Sequence, residues 1–330
     1  MVNISLLIRA DAGIESGTGH AMRCLSLAQE WVDAGGLVVW VAASLPVSLQ
    51  SRLLQEKIKL HLINKNIASQ RDADMTATLA RDASCEWVVL DGYHFKSSYQ
   101  SQVRNKGFKV LVIDDNGETG PWNCDAIVNQ NLHAKGVDYS GTPARCQLLL
   151  GTSFVLLRRE IRAALKSHVP PTDYSQELRL LILMGGSDHG NITSRILERL
   201  QTLKVNRKMT VRVILGGANP HRHEVEKVVR QGVFPAEIFH AVEDMAVHYS
   251  WANAAVTAAG STCWELCAFQ IPFLSLAVAD NQKKIAAELG GGNVDTCLLR
   301  LNDWLDNPLL ACAVEIDGRG AERVCALITG

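Results

Sequence analysis

The chain has 330 residues, 47% of them hydrophobic, with 33 basic against 34 acidic side chains. That hydrophobic content is ordinary for a globular chain and too high for a disordered one, and the length allows one large domain or two of roughly 150 residues, each with its own core. The first 165 residues carry 17 basic and 16 acidic side chains and the remainder 16 and 18, so neither half is a basic arm or an acidic tail, and charge gives no reason to expect nucleic acid as a partner.

Near-neutral balance fits a soluble protein that binds a small ligand, as a monomer or weak oligomer. The longest apolar stretch, Leu37 to Ala43, is far short of the roughly 20 residues a bilayer needs, so no membrane partner is expected. Met1 to Ile8 is only a strand's length, and Arg9 and Asp11 follow where the apolar region of a signal peptide would continue. The nine cysteines are odd in number and contain no CxxC pair. Neither a disulfide framework nor a structural zinc site is expected, and a reducing cytoplasm is the natural home.

Along the chain, short apolar runs end in Gly/Asp/Asn turns and are followed by amphipathic segments. Ile4–Ile8, Leu37–Ala42, Trp87–Leu90, Lys109–Ile113 and Ala126–Val128 read as strands covered on both faces. A helix is expected over Ala21–Ala34, where Leu25, Ala28 and Val32 share one face and Gly35-Gly36 ends it. The stretch from Lys166 to Glu177 has no apolar run and contains Pro170-Pro171. It reads as a linker, after which the rhythm restarts with Arg179–Met184, Val211–Leu215, Ala254–Val256 and Pro272–Leu276. The expectation is an α/β protein of two Rossmann-like domains, 1–160 and 177–330, joined by a linker at 161–176. The segment from Asn302 to Gly330 looks helical.

In open parallel sheets ligands bind beyond the carboxyl ends of strands, so the turns there carry the chemistry. The first runs from Arg9 and Asp11 through Gly13, Gly17 and Gly19 to His20, at the start of the first helix. The glycines let backbone approach a ligand. His20 at a helix start is either a structural packing residue or a general base, since the positive end of the helix dipole disfavours imidazolium and a base must be neutral. The spacing is not the GxGxxG dinucleotide fingerprint, and no cofactor is called for. Asp91-Gly92-Tyr93-His94 puts a carboxylate, a phenol and an imidazole after the third run, as a candidate site or as an Asx turn with an aromatic lid. Asp114-Asp115-Asn116-Gly117 reads as turn chemistry in preference to a metal site. Asn129-Gln130-Asn131 suits hydroxyl or acetamido recognition, or loop hydrogen bonding.

In the second half, Met184-Gly185-Gly186-Ser187-Asp188, Leu215-Gly216-Gly217-Ala218-Asn219 and Gly260-Ser261-Thr262 each follow a strand. Small residues at helix starts expose backbone N–H groups suited to a diphosphate. Glu265, three residues after Thr262, either completes a capping box or holds ribose hydroxyls. Asn281-Gln282 adds a polar cluster after the last apolar run.

Together these motifs resemble the UDP-2,4-diacetamido-2,4,6-trideoxy-β-L-altropyranose hydrolase family of pseudaminic acid biosynthesis, which is related to GT-B (MurG-like) glycosyltransferases and to a spore-coat polysaccharide group. The resemblance rests on Arg9-Ala-Asp11 with Gly17-Thr-Gly19-His20, Asp91-Gly92-Tyr93, Ile113-Asp114-Asp115, Asn129-Gln130-Asn131, Tyr139, Leu150-Gly151 with Leu157-Arg158-Arg159-Glu160, Met184 to Asp188, Gly260-Ser261-Thr262 with Glu265, and Asn281-Gln282, in that order. It implies a GT-B-like fold with a cleft between the domains and inverting hydrolysis of a UDP-sugar. By the same resemblance His20 is the base acting on water and Tyr93 an active-site residue. Arg9, Asp11, Gly17, Gly19, Asn129, Asn281 and Gln282 fall to the substrate, and Gly185, Gly186, Ser187, Gly260, Ser261, Thr262 and Glu265 to the nucleotide. Some family members carry Asn just before the acid matching Glu265, where this chain has Trp264. The competing readings are a GT-B glycosyltransferase with a UDP-sugar donor and a non-catalytic nucleotide-sugar binding protein.

Overall fold

The computed structural model describes residues 5–13, 17–63, 67–170, 177–205, 207–308 and 315–330. Its strands form two all-parallel sheets, one in each of two compact units. The first unit comprises residues 1–159 and 318–330, the second 160–317.

The first sheet holds β1 (Ser5–Ala10), β2 (Leu37–Ala42), β3 (Lys59–Leu62), β4 (Cys85–Asp91), β5 (Lys109–Ile113), β6 (Ala126–Asn129) and β7 (Gln147–Leu150), in the order β3-β2-β1-β4-β5-β6-β7. Strand side chains alternate between faces, and both faces of this sheet are apolar. Leu6, Ile8, Val89 and Leu111 enter one core cluster; Leu7, Val88, Leu90 and Val110 enter the other. Covering helices satisfy both faces, as a parallel sheet requires. The order turns back on itself between β1 and β4, which makes that junction the switch point where such sheets bind ligands.

The second sheet repeats the pattern with β8 (Glu177–Leu183), β9 (Lys208–Leu215), β10 (Ala236–His240), β11 (Ala254–Ala258), β12 (Phe273–Ala277) and β13 (Gly292–Asn293), ordered β10-β9-β8-β11-β12-β13. Its switch point lies between β8 and β11. The expected α/β architecture of two Rossmann-like sheets is therefore present. Four strands carry no sequence signal, and three of them, β3, β7 and β10, are edge strands or lie at the end of a sheet with largely unburied residues. The fourth, β13, has two residues. An edge strand buries too little to read as a continuous apolar run.

The first helix spans Gly19–Asp33, two residues earlier than the apolar periodicity suggests, so His20 is its second residue. The last helix, Gly320–Thr329, departs from the expectation that residues 177–330 make one domain. Its Ala321, Val324, Cys325 and Ile328 lie in the same core as Cys24, Leu25 and Ala28 of the first helix. Gly320 makes this docking possible, since a Cβ there would meet the Val155 carbonyl oxygen at 2.2 Å. The expected linker 161–176 also divides. Arg159–Leu165 is helical, and His168 belongs to the second unit, with Nε2 2.9 Å from the Phe269 carbonyl. Residues 171–176 lie outside the described residues. Among the described residues no helix is long and apolar enough to cross a membrane.

Candidate functional site

At the carboxyl ends of β1, β4 and β5 the first unit gathers a buried charged network around His20. The His20 Nδ1 lies 2.7 Å from Asp91 Oδ1. A carboxylate only accepts, so Nδ1 carries a proton, and in the neutral ring the lone pair falls to Nε2. Among the described residues Nε2 has no hydrogen-bond partner. Arg23 stands one turn after His20 on the same helix face. Its Nε and Nη2 donate to the two oxygens of Asp91 at 2.6 and 2.7 Å, and its Nη1 donates to Asp115 Oδ1 at 2.6 Å. Arg23 Nη2 also lies 3.1 Å from His20 Nδ1, a close approach of two N–H groups that share one acceptor.

Burial works against the charge on Asp91, but Arg23 and His20 outweigh it and hold its carboxyl below the usual range. The same contest, won by Arg23 with help from Asn131, holds Asp115 low. Burial disfavours the Arg23 charge, and the two carboxylates reverse that and raise it. The network is therefore ionised, and Asp91 is a fixed anion whose position sets the orientation of His20.

Tyr93 completes the enclosure. Its ring meets His20 edge-on with centroids 4.9 Å apart, and its hydroxyl donates to Asp115 Oδ2 at 2.9 Å. Asp114 faces elsewhere, accepting from Gly117 N, Thr119 Oγ1 and the Tyr139 hydroxyl. Asp114 is thus the turn residue of the acidic pair, and Asp115 the site residue.

Two expected substrate contacts prove to be internal braces. Arg9 is fully buried, with Nε and Nη2 paired to Asp72 at 3.1 and 2.9 Å and Nη1 2.8 Å from Asp11. Asn129 is also fully buried, donating to the Asp115 carbonyl and the Tyr139 hydroxyl and accepting from Asn131. Its amide shapes the loop whose Asn131 donates to Asp115 at 3.0 Å. Asp11 sits at the edge of this set: Oδ1 accepts from Ala43 N at 2.6 Å, and Oδ2 lies 3.4 Å from His94 Nε2. Gly17 takes a φ of +68°, which glycine adopts without strain, and closes the loop onto Gly13 just before the helix. Gly19 is exposed at the first helical position. Residues 14–16 of this loop lie outside the described residues.

Sequence reasoning missed Arg23 and gave Asp91 no named role. The signal for Arg23 is its place among the buried residues of the first helix, beside Cys24 and Leu27, where an unpaired cation would be costly.

In the second unit, the loops after β8 and β9 pack backbone to backbone: a Cβ on Gly216 would lie 2.3 Å from the Gly186 carbonyl oxygen. Gly185 has a φ of +78° and Ser187 is buried beside it. The helix that follows, Ile192–Gln201, is already satisfied at its start, because Asp188 accepts from Ile192 N and Thr193 N at 2.8 and 3.0 Å. That removes it as an anion site. The turn after β11 differs: the helix Thr262–Ala268 has Ser261 as its N-cap residue with no side-chain cap. Thr262 is already helical, so the capping-box reading of Glu265 fails. Glu265 Oε2 instead accepts from the Tyr249 hydroxyl at 2.6 Å. Trp264 is buried in the core. Asn281 and Gln282 lie in a short 3₁₀ turn after β12, where Gln282 Oε1 accepts from Val278 N at 3.0 Å.

Comparison with known proteins agrees with the resemblance read from the motifs. No family model matches the chain. It is 24% identical over 288 residues, 87% of its length and 96% of the relative's, to a UDP-2,4-diacetamido-2,4,6-trideoxy-β-L-altropyranose hydrolase of Campylobacter jejuni. It is 23% identical over 83% of its length, and 80% of the relative's, to a UDP-N-acetylglucosamine–N-acetylmuramyl-(pentapeptide) pyrophosphoryl-undecaprenol N-acetylglucosamine transferase of Pseudomonas fluorescens. Among solved structures, MurG of Acinetobacter baumannii superposes with a TM-score of 0.63 at 18% identity, covering 99% of each chain. At that identity the likeness is one of fold, and the fold is GT-B of the MurG kind.

Proposed function

We propose that this protein hydrolyses a UDP-linked 2,4-diacetamido-2,4,6-trideoxyhexose to free sugar and UDP, with inversion, in the cytoplasmic assembly of a nonulosonate such as pseudaminic acid. The observation that carries the reading is the alignment of His20: Asp91 accepts a hydrogen bond from Nδ1 at 2.7 Å, and Arg23 clamps Asp91. An imidazole so held presents Nε2 as a base towards water, by the logic that a carboxylate fixes the tautomer of a catalytic histidine.

Tyr93 walls the ring and is tied to the same network through Asp115. Asp11, Gly17 and Gly19 border the sugar. In the second unit, Gly185, Gly186 and Ser187 and the uncapped turn Gly260-Ser261-Thr262 supply backbone N–H groups to the diphosphate. Glu265, oriented by Tyr249, takes the ribose hydroxyls, and Asn281 and Gln282 line the sugar-nucleotide. UDP is a good leaving group, so fixed dipoles at its phosphates suffice in place of a strong acid. Water attacking opposite the leaving group inverts the anomeric centre.

The second reading, transfer of the sugar to an acceptor hydroxyl, is supported by the 23% identity to the N-acetylglucosamine transferase. Incubating the protein with the UDP-sugar and no acceptor, followed by NMR, separates the two. Free sugar and UDP formed together, with the inverted anomer first, support hydrolysis. An intact UDP-sugar under those conditions overturns it in favour of transfer.

A further inference from the structure

Cys124 and Cys146 precede β6 and β7, parallel neighbours in which Ala126 stands opposite Gln147. That register sets Cys146 beside Asp125, the residue after Cys124; with strands about 4.7–4.9 Å apart, a one-residue offset keeps the pair within the Cα separation of about 4.4–6.8 Å that a disulfide spans. The two sulfurs are free thiols 3.8 Å apart. Cys124 is fully buried, whereas Cys146 is partly exposed, and every other described cysteine is buried.

The difference in exposure gives the two sulfurs different chemistry. The contact between the two sulfurs lowers the Cys146 thiol and raises that of Cys124; burial raises Cys124 further. The charged groups beside the pair are Asp125 and Arg104, themselves ion-paired at 2.8 Å. A thiolate-forming sulfur at the surface with a second thiol directly behind it is the arrangement of an attacking and a resolving cysteine.

We propose that Cys124 and Cys146 form a peroxide-reactive pair that closes reversibly to a disulfide. The Cys146 thiolate attacks one oxygen of hydrogen peroxide, the O–O bond breaks, and Cys146 sulfenic acid and hydroxide form. The Cys124 thiol then attacks the Cys146 sulfur, the S–O bond breaks, and water leaves with the Cys124 proton. Both sulfurs are oxidised by one electron each and the peroxide is reduced to water; a dithiol reductant reverses the step. Transient bridges of this kind are what a reducing compartment permits. The bridge closes a covalent loop around Asn129, Asn131 and Tyr139, which hold the Asp114–Asp115 turn. Oxidation therefore restrains the segment that positions Asp115.

The test uses the full reduced chain, titrated with hydrogen peroxide, blocked with N-ethylmaleimide and digested without reductant. Mass spectrometry is expected to find a peptide joining Cys124 to Cys146, with loss of Cys146 alkylation and recovery after dithiothreitol. Cys146→Ser loses the bridge. Cys124→Ser leaves a Cys146 sulfenic acid that dimedone traps; should that buried variant fail to fold, the native chain and Cys146→Ser decide alone. A native chain in which Cys146 remains alkylated, or passes straight to sulfinic acid with no bridged peptide, overturns the proposal. So does a bridge that forms only in urea.

Discussion

Asp91→Asn is the substitution that most directly probes the alignment of His20. Oδ1 of Asp91 accepts from His20 Nδ1 and Arg23 Nη2, and Oδ2 accepts from Arg23 Nε and the Cys24 thiol. An asparagine must place its NH₂ where one of those oxygens stood. On the Oδ2 side it faces Arg23 Nε across 2.6 Å, donor against donor. On the Oδ1 side it faces Arg23 Nη2 and forces His20 Nδ1 to become the acceptor, which moves the imidazole proton to Nε2. Either placement leaves Arg23 with only Asp115 as a full counter-charge. Breaking a buried ion pair from one side costs about 3–5 kcal/mol of stability. Forcing the wrong tautomer lowers kcat by about 10⁴, as when other hydrolases lose the carboxylate behind their histidine, which corresponds to a barrier higher by about 5 kcal/mol. The assay is UDP-sugar hydrolysis at pH 7 beside urea denaturation, with UDP binding as the check on the second unit. On a His20→Asn background the same change should have little further effect on kcat, because the two act as one unit. A folded Asp91→Asn protein with kcat within roughly tenfold of the parent would refute the alignment argument.

Three further outcomes follow from the same geometry. His20→Asn should abolish turnover while leaving the UDP dissociation constant unchanged in a calorimetric titration; full activity would remove His20 as the base. Glu265→Ala should raise the UDP dissociation constant by roughly 10–100-fold, the worth of a hydrogen bond to a charged group, and Tyr249→Phe by less. An unchanged constant in Glu265→Ala would take the carboxylate away from the ribose. The third concerns acid. Asp91 and Asp115 are held below the usual carboxylate range when folded. Their contribution is fully present above the unfolded value of about 3.9 and is lost as pH falls from there through their folded values. Urea midpoints measured from pH 7 down to pH 2 should drop below about pH 4, and Asp115→Asn should make that drop shallower; a parallel curve would remove Asp115 from the acid response.

The sheets were legible in the sequence wherever burial is two-sided, and the turns after them held the chemistry. Val110–Ile113 reads as a strand because both its faces are covered; Lys59–Leu62 does not, because it closes an edge. His20, Tyr93 and Asp91 could be singled out because they follow strands. What sequence position does not reveal is direction. Arg9 lies two residues before Asp11, yet it turns inward to Asp72, 63 residues away. Asp114 and Asp115 are adjacent and do opposite work. Arg23 is invisible to turn-based reasoning because it sits within a helix, and its meaning comes from two carboxylates 68 and 92 residues further on.

The return of the last helix to the first unit bears on synthesis as well as on shape. Domains generally fold in the order in which they leave the ribosome, at about 5–20 residues per second. Here the first unit is interrupted after Arg159 and resumes at Gly318, so its core around Leu25 and Ala28 waits uncovered while the whole of the second unit is made. A fragment cut at residue 160 would keep that apolar stripe in water, where it invites aggregation. Independent production of the first unit calls for a splice that joins residues 1–159 directly to 318–330.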